Sequence, residues 1–596
     1  MSKASRRKFL TTVPVAVAGA VATKAFAQGQ GQQAQGPIKA ETVDCAEVIP
    51  GLHLSKEDEA AVANGLNRNL QTYARLRDLP ITPDIDPALI FKPSLPGQEP
   101  KGPATPGAKL TIATKPPMTL KRPANLEDVA FWPLTHLAAL IERKLVTSTE
   151  LTKMYIARLK RYQPTLNFYV TLTEDLALEQ AARADKEIKA GKYRGPLHGI
   201  PWGGKDLLAT KGIKTTWGGE PYVDQVFDYN ASVVDRLEAA GAVLVAKLTL
   251  GALAQGDMWF GGQTKNPWNG GGASGSSAGP GSATAAGCVG FAIGTETRGS
   301  IISPSTANGV VGLRPTYGRV SRYGAMALSN TMDKLGPMCR YVEDTILVLN
   351  AIYGPDAKDN SVANAALTWN PAQPLAGIKI AYVKSEFDPP PATAAGAAGA
   401  GRGGGGGRGG LTPEQQAERR KNYDNVLATY AKLGAKLEPI ELNDIMPQMA
   451  NLTNTLGFIL DAESAASFDS LTRSGDVDLL RTGTSRSSWP NTFKTARFIP
   501  AVEYIQANRA RVLLMREFDK LMSKYHVLLS AGSDATLSTT NLTGQPAMAV
   551  KCGIVNNAPQ MIMLTGRLYD EGTMARVALA FEQATEWKDR HPKLNA

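Results

Sequence analysis

Val233-Val234-Asp235-Arg236-Leu237-Glu238-Ala239-Ala240-Gly241, followed at once by Ala242-Val243-Leu244-Val245-Ala246, sets the fold class of this chain. The first part reads as the end of a helix, with Gly241 as its stop signal. The second is apolar at every position, as a short strand is when both its faces are covered.

The pattern extends outward. Thr147 and Glu150 form a capping box, after which Leu151, Met154, Tyr155 and Leu159 recur at helical spacing; Pro164 is expected to end that helix. Phe168 to Leu172 reads as a strand, Leu176–Lys189 as an Ala-rich helix stopped near Gly191, and Ile378 to Val383 as another strand. Alternating helices and short buried strands argue for an α/β layered domain. Residues 28–127, rich in Gln, Pro and Lys, carry one plausible helix around Glu57–Leu76. Ala392–Gly410 holds only Ala, Thr, Gly and two arginines, Arg402 and Arg408. Such a stretch cannot bury enough apolar area to offset its ordering entropy. Pro389 to Gly410 is therefore expected to be a flexible insertion within the domain, not an RNA-binding arginine-glycine segment. Thr412 as N-cap, Pro413 and Gln415 then restart a helix. The expected organisation is residues 1–27, an N-terminal extension over 28–125, and one domain over 126–590.

Of the 596 residues, 43% are hydrophobic and 20% charged, which allows a substantial core and excludes a small disulfide-stapled or wholly disordered chain. Lys3, Arg6, Arg7, Lys8 and Lys24 account for five of the 65 basic residues; without them the net charge falls from +11 to +6. No basic block remains to follow a phosphate backbone, so nucleic acid is not an expected partner. Ser5-Arg6-Arg7-Lys8-Phe9-Leu10 matches the twin-arginine export signal. A weakly apolar run from Thr11 to Thr23 and a small-x-small site, Ala25-Phe26-Ala27, follow it. That run is shorter than the ~20 residues needed to cross a bilayer, so no stable membrane anchor is expected. The expected location is the periplasm or the exterior of a bacterium, with the twin-arginine machinery as a partner. Cys45, Cys288, Cys339 and Cys552 have no metal-ligand spacing, and their disulfide state is left open.

Chemistry concentrates in three segments. Gly195-Pro196-Leu197-His198-Gly199-Ile200-Pro201-Trp202-Gly203-Gly204-Lys205-Asp206 contains G-x-x-x-x-G-K, but Asp206 stands where a P-loop needs a hydroxyl, and Pro201 removes a cradle donor. Its apolar flanks imply a buried Lys205, and burial lowers an amine's pKa toward what neutral-pH proton abstraction needs. The Gly/Ser/Ala block Asn269 to Gly287 feeds an apolar stretch, Cys288 to Ile293, instead of linking domains. In Gly294-Thr295-Glu296-Thr297-Arg298-Gly299-Ser300-Ile301, a turn can aim successive N–H groups at a developing oxyanion. Only five histidines exist, and His53, His136, His526 and His591 lie in unremarkable contexts.

Together these segments resemble the amidase signature family, with its Gly-Ile-Pro-x-x-x-Lys-Asp segment, Gly/Ser block and Gly-Ser-Ile turn. Gly312-Leu313-Arg314-Pro315-Thr316-Tyr317-Gly318-Arg319-Val320-Ser321 looks like a further family segment. So do Asp333 to Arg340 and Asn541 to Ala547; the resemblance spans about Leu126 to Thr585. It implies a mixed β-sheet core between layers of α-helices, and a Ser–Ser–Lys triad whose bridging serine follows a cis peptide bond. Carried over position by position, the nucleophile is Ser300, the bridge Ser276 (not Ser274 or Ser277) and the base Lys205. The oxyanion hole comes from the backbone amides of Thr297, Arg298, Gly299 and Ser300. His198 takes no catalytic role, and no metal or other cofactor is needed. Arg298 replaces a family glycine and would be strained if φ there were positive. An arginine common two or three residues after the nucleophile is absent, Ile302 and Ser303 standing there, which argues against malonamide-like acids as substrates. The implied reaction is hydrolysis of a carboxamide or small amide, with a homodimer as a possible assembly. The alternatives are the glutaminase subunit of a tRNA-dependent amidotransferase and a non-catalytic periplasmic binding protein on the same scaffold.

Overall fold

The computed structural model describes residues 36–79, 85, 87–388, 411–445, 452–453, 456–482, 488–532 and 534–594. Residues 1–27, read above as an export signal, and residues 389–410, read as an insertion, lie outside these residues. The chain divides into two compact units, residues 1–82 and 83–596. In the first, the helices Ala40–Ala46 and Lys56–Arg77 are described; Ser55 caps the longer one by accepting from the N–H of Asp58. Asn67 fastens the chain ahead of these helices, its amide bonding both the C=O and the N–H of Ile38.

The second unit is built on a mixed sheet. Its strands are β1 (Tyr169–Leu172), β2 (Pro201–Lys205), β3 (Val243–Leu248), β6 (Phe291–Glu296), β7 (Val311–Arg314), β8 (Lys334–Cys339), β9 (Lys379–Val383), β10 (Lys436–Ile440), β11 (Val527–Ser530), β12 (Ala547–Val555) and β13 (Ala558–Gly566). Between β3 and β6, β4 (Met258–Trp259) and β5 (Gly262–Gln263) make a separate hairpin. Among the described residues the large sheet has eleven strands in the order β1-β3-β2-β6-β8-β7-β12-β13-β11-β9-β10. β3, β2 and β6 run parallel, as do β11, β9 and β10, while the middle of the sheet is antiparallel.

Strand β3 shows why the opening stretch reads as it does. Val243 and Val245 pack on Ile156, Leu159, Ala177 and Ala181 of two helices, Ser148–Leu166 and Glu174–Lys189. Leu244, pointing the other way, joins the cluster containing Leu134, Leu137 and Trp202. Successive side chains thus enter two separate cores, each gaining roughly 1.5–3 kcal/mol from burial. The sheet is covered on both faces by helices, the arrangement expected from the resemblance.

The local signals perform as expected with one correction. Both reciprocal bonds of the Thr147/Glu150 and Thr412/Gln415 capping boxes are present. Pro164 does not end its helix, which runs to Leu166 and closes at left-handed Asn167. A proline in the last turn forfeits one backbone bond only, that of its missing N–H, and just past the helix end the Gln163 amide oxygen receives the N–H groups of Phe168 and Tyr169 at 3.1 Å each. Residues 87–125 belong to the second unit and are fastened within it: Glu343 receives the N–H groups of Ala113 and Thr114, and the Tyr353 hydroxyl receives that of Thr105. No described helix is long and apolar enough to cross a membrane.

Candidate active site

Parallel pairing of β2 with β6 sets Gly204 opposite Ile293, so Lys205 and Thr295 end side by side. The Gly/Ser block comes up beneath them. Its second half is the helix Ala278–Ala285, buried at every position, and the turn before it carries Ser276 and Ser277. The Gly275–Ser276 peptide bond is cis. Gly275 is required by space: a Cβ there would lie 1.8 Å from the carbonyl oxygen of Gly256.

Lys205 is fully buried, and its amine is held by three hydroxyls: Ser276 Oγ at 2.7 Å, Thr295 Oγ1 at 2.9 Å and Ser277 Oγ at 3.0 Å. Ser277 is itself locked, receiving the Thr295 N–H and donating to the Thr295 carbonyl, both at 3.1 Å. Burial pushes the amine well below its usual range, against the opposing charges of Asp333 and Glu296. Asp206, the next residue, turns away into a buried ion pair with Lys247 at 2.9 Å.

The turn from Thr297 to Ser300 follows β6. Among the described residues none of its four backbone N–H groups donates to a protein acceptor, whereas the next two, of Ile301 and Ile302, both bond Glu296 Oε2 at 2.9 Å. The other oxygen of Glu296 receives Arg314 Nη1 and Asn541 Nδ2, each at 2.7 Å. Burial would raise this carboxyl; the charges of Arg314 and Lys334 and the two amides bring it down to about 2. Glu296 therefore ties three other family-like segments, through Arg314, Lys334 and Asn541, to the turn bearing Ser300. Below the turn, the Thr297 hydroxyl donates to Asp333 Oδ1 at 2.5 Å, and Asp333 Oδ2 accepts from the N–H groups of Leu328 and Ser329. A cleft lined by Leu207, Met326 and Leu328 opens onto Thr295, Thr297 and Asp333.

The sequence-derived residues thus gather at the carboxyl ends of β2 and β6, inside the sheet. Lys205 and Ser276 are in direct contact, and Ser300 is joined to their turn by its C=O, which accepts the Ser277 N–H at 3.2 Å. The strain conditionally expected at Arg298 does not arise: the left-handed conformation, φ +91°, falls on Gly299, and the exposed Arg298 side chain acts instead on the carboxyl of Asp461. His198 lies elsewhere, its Nε2 3.2 Å from Glu187. Sequence reasoning set Ser277 aside and gave Thr295 no role, although both hold the lysine. Nothing in the spacing marks Thr295; only the β2–β6 register brings it to Lys205. All four thiols are free, Cys45 exposed and the other three buried. Among the described residues no group of three or more His, Cys, Asp or Glu is gathered as metal ligands would be.

Comparison with known proteins places this arrangement. Residues 150–400 match the Amidase family model. Over 501 residues the chain is 31% identical to a subunit of the glutamyl-tRNA(Gln) amidotransferase of Heliobacterium modesticaldum, spanning 76% of this chain and 97% of that one. The same-named subunit of Geobacillus kaustophilus is 31% identical over 497 residues, 77% and 99% of the two chains. Among solved structures, the native peptide amidase from Stenotrophomonas maltophilia superposes with a TM-score of 0.66 at 27% identity, over 78% of this chain and 99% of that one. With relatives matched over nearly their whole length, and a mixed sheet between helices ending in this lysine–hydroxyl cluster, the chain belongs to the amidase signature family of hydrolases.

Proposed function

We propose that the chain hydrolyses the C–N bond of a carboxamide through an acyl-enzyme on Ser300. One observation carries the reading: a fully buried Lys205 amine, held well below its usual range, lies 2.7 Å from Ser276 Oγ. A serine hydroxyl is a weak nucleophile until a base takes its proton. A neutral Lys205 accepts the proton of Ser276, which takes that of Ser300 as Ser300 Oγ attacks the amide carbonyl carbon. The N–H groups of Thr297, Arg298, Gly299 and Ser300, which meet no protein acceptor among the described residues, suit the resulting oxyanion; a single such donor is typically worth about 10²–10³ in kcat. The proton returns along the same hydroxyls to the leaving amine as the C–N bond breaks. Water then enters, loses its proton by the same route and releases the acid.

An alkyl phosphonyl fluoride tests this. It is expected to add to Ser300, to leave the Ser300→Ala protein unmodified, and to react far more slowly with Lys205→Ala. Wild-type amide turnover by Lys205→Ala removes the mechanism.

A second reading, the glutaminase subunit of a tRNA-dependent amidotransferase, is favoured by the curated relatives, which bear that subunit's name at 31% identity. In it the carboxamide is that of glutamine and the ammonia passes to partner subunits. The likeness to a peptide amidase supports a free-standing hydrolase instead. Ammonia release from glutamine that rises only with partner subunits and charged tRNA selects the amidotransferase; turnover of peptide amides by the chain alone selects the hydrolase. The motive for a non-catalytic binding role, strain at Arg298, is absent.

Export through the twin-arginine route belongs to the same proposal and rests on Arg6, Arg7 and the Ala25-Phe26-Ala27 site. Fractionation of cells is expected to find a periplasmic protein shortened near Ala27; an intact Met1 in the cytosol overturns it. A homodimer, proposed on the same resemblance, is read from the mass in solution.

A further inference from the structure

The segment around Phe91 lies outside every family-like motif of the chain, yet it sits on a buried cation that grips the wall of the cleft. Arg511, 1% exposed, stacks its guanidinium over the Phe91 ring at 3.6 Å, and the same ring meets Tyr317 edge-on at 5.1 Å. Phe91 and Pro93 also close over Gly544, where a Cβ would come within 2.7 Å of Pro93. From beneath this cover Arg511 donates to the Leu542 carbonyl at 2.5 Å, to Thr331 Oγ1 at 2.8 Å and to the Thr331 carbonyl at 3.0 Å.

Thr331 begins a short chain of contacts to the reacting turn. Its hydroxyl donates to Glu463 Oε1 at 2.8 Å, and Glu463 also receives the hydroxyls of Tyr504, at 2.8 Å, and Ser329. Tyr317 adds a further hold, donating to the Asn330 carbonyl at 2.5 Å. The N–H of Ser329 bonds Asp333 Oδ2, whose other oxygen takes the Thr297 hydroxyl. Residues 328–333 are thus pinned between Arg511 and the turn that carries Ser300, and Leu328 and Asp333 line the cleft itself.

We propose that Phe91 is a positioning residue: by keeping Arg511 dry and fixed it holds loop 328–333, and through Asp333 and Thr297 it sets the geometry of the Ser300 turn. A cation over an aromatic face gains most where water is excluded, and the same exclusion strengthens the bonds Arg511 makes to Thr331. The N-terminal extension thereby contributes to the active site without touching substrate. This inference rests on the function proposed for Ser300.

The test compares wild type, Phe91→Leu and Phe91→Tyr in the full-length mature protein. Leucine keeps apolar bulk but removes the ring face; tyrosine keeps the face. With an amide that wild type turns over, Phe91→Leu is expected to lose about tenfold in kcat with KM little changed, as a small misplacement of reacting groups does, and Phe91→Tyr to recover most of it. Backbone hydrogen exchange, read by mass spectrometry, is expected to accelerate in residues 328–333 of Phe91→Leu, whose N–H groups are bonded to Asp333, Glu463 and Ser329, and not in the first unit. Unchanged kcat and unchanged exchange in Phe91→Leu overturn the proposal, as does a loss that Phe91→Tyr fails to restore. Absence of turnover or Ser300 labelling in wild type defeats the proposed reaction instead; the exchange measurement, which needs no substrate, then decides the positioning role alone.

Discussion

Glu296 meets four donors with one carboxylate: Arg314, Asn541 and the N–H groups of Ile301 and Ile302. Both partners of its ion pair with Arg314 are fully buried. Removing one partner of such a pair leaves an uncompensated charge, so Glu296→Gln is expected to destabilise the protein by roughly 3–5 kcal/mol, read from denaturant unfolding. The carboxyl is held down to about 2, so its stabilisation is present above the ordinary glutamate range and is lost as pH falls through about 2. Lys205 works in the opposite sense, its amine neutral where a free lysine is charged. Turnover is expected to fall only on the acid side of the pH profile, as Lys205 gains a proton, with its plateau reached well below lysine's usual value of ~10.4. A profile that still rises through that value rules out Lys205 as the base. At this scale the sequence was legible for Lys205 and Ser276, because Gly-Ile-Pro-x-x-x-Lys-Asp and the Gly/Ser block are local strings. Thr295 was hidden, since its role depends on which strand pairs with β2.

Each element bearing the site must fit against backbone. Gly275 lies so close to Gly256 that Gly275→Ala cannot be accommodated without displacing the turn that carries Ser276. Phosphonylation of Ser300 in that variant is expected to slow by about 10²-fold or more, the scale of a 1 Å misplacement. Wild-type labelling kinetics would show that the turn does not position the serine. Capping boxes at Thr147 and Thr412 were readable because cap and partner lie three residues apart and the bonds are local. Pro164 misleads for the opposite reason: its cost depends on how much of the helix remains after it, and here only the residues to Leu166 do.

Across the whole second unit, the sheet is sealed so thoroughly that carboxyls are caught inside. Glu582 is pushed up to about 8 by burial, with Asp344 adding to it, although it accepts the Val342 N–H; Asp344, buried near it, is likewise raised to about 8. Between the ordinary carboxyl range and about 8 the unfolded chain has released these protons while the folded one keeps them, so stability falls as pH rises through that window. Unfolding midpoints are expected to drop between pH 5 and pH 8, and Glu582→Gln, which mimics the protonated acid, to flatten that drop. A variant as pH-sensitive as wild type would show that Glu582 is not the cause.

Short-range order in the chain determined the layered α/β class, a few helix starts such as those capped by Thr147 and Thr412, and the string positions of the lysine, the serines and the turn over residues 297–300. Periodicity, capping and turn chemistry act over a few residues and are written there directly. The tertiary structure alone decided that Ser277 and Thr295 share the amine with Ser276, that Glu296 binds the turn to Arg314 and Asn541, and that Phe91 covers Arg511. Those contacts join residues tens to hundreds of positions apart, and their strength comes from excluding water, a property that exists only once the sheet and its helices have closed around them.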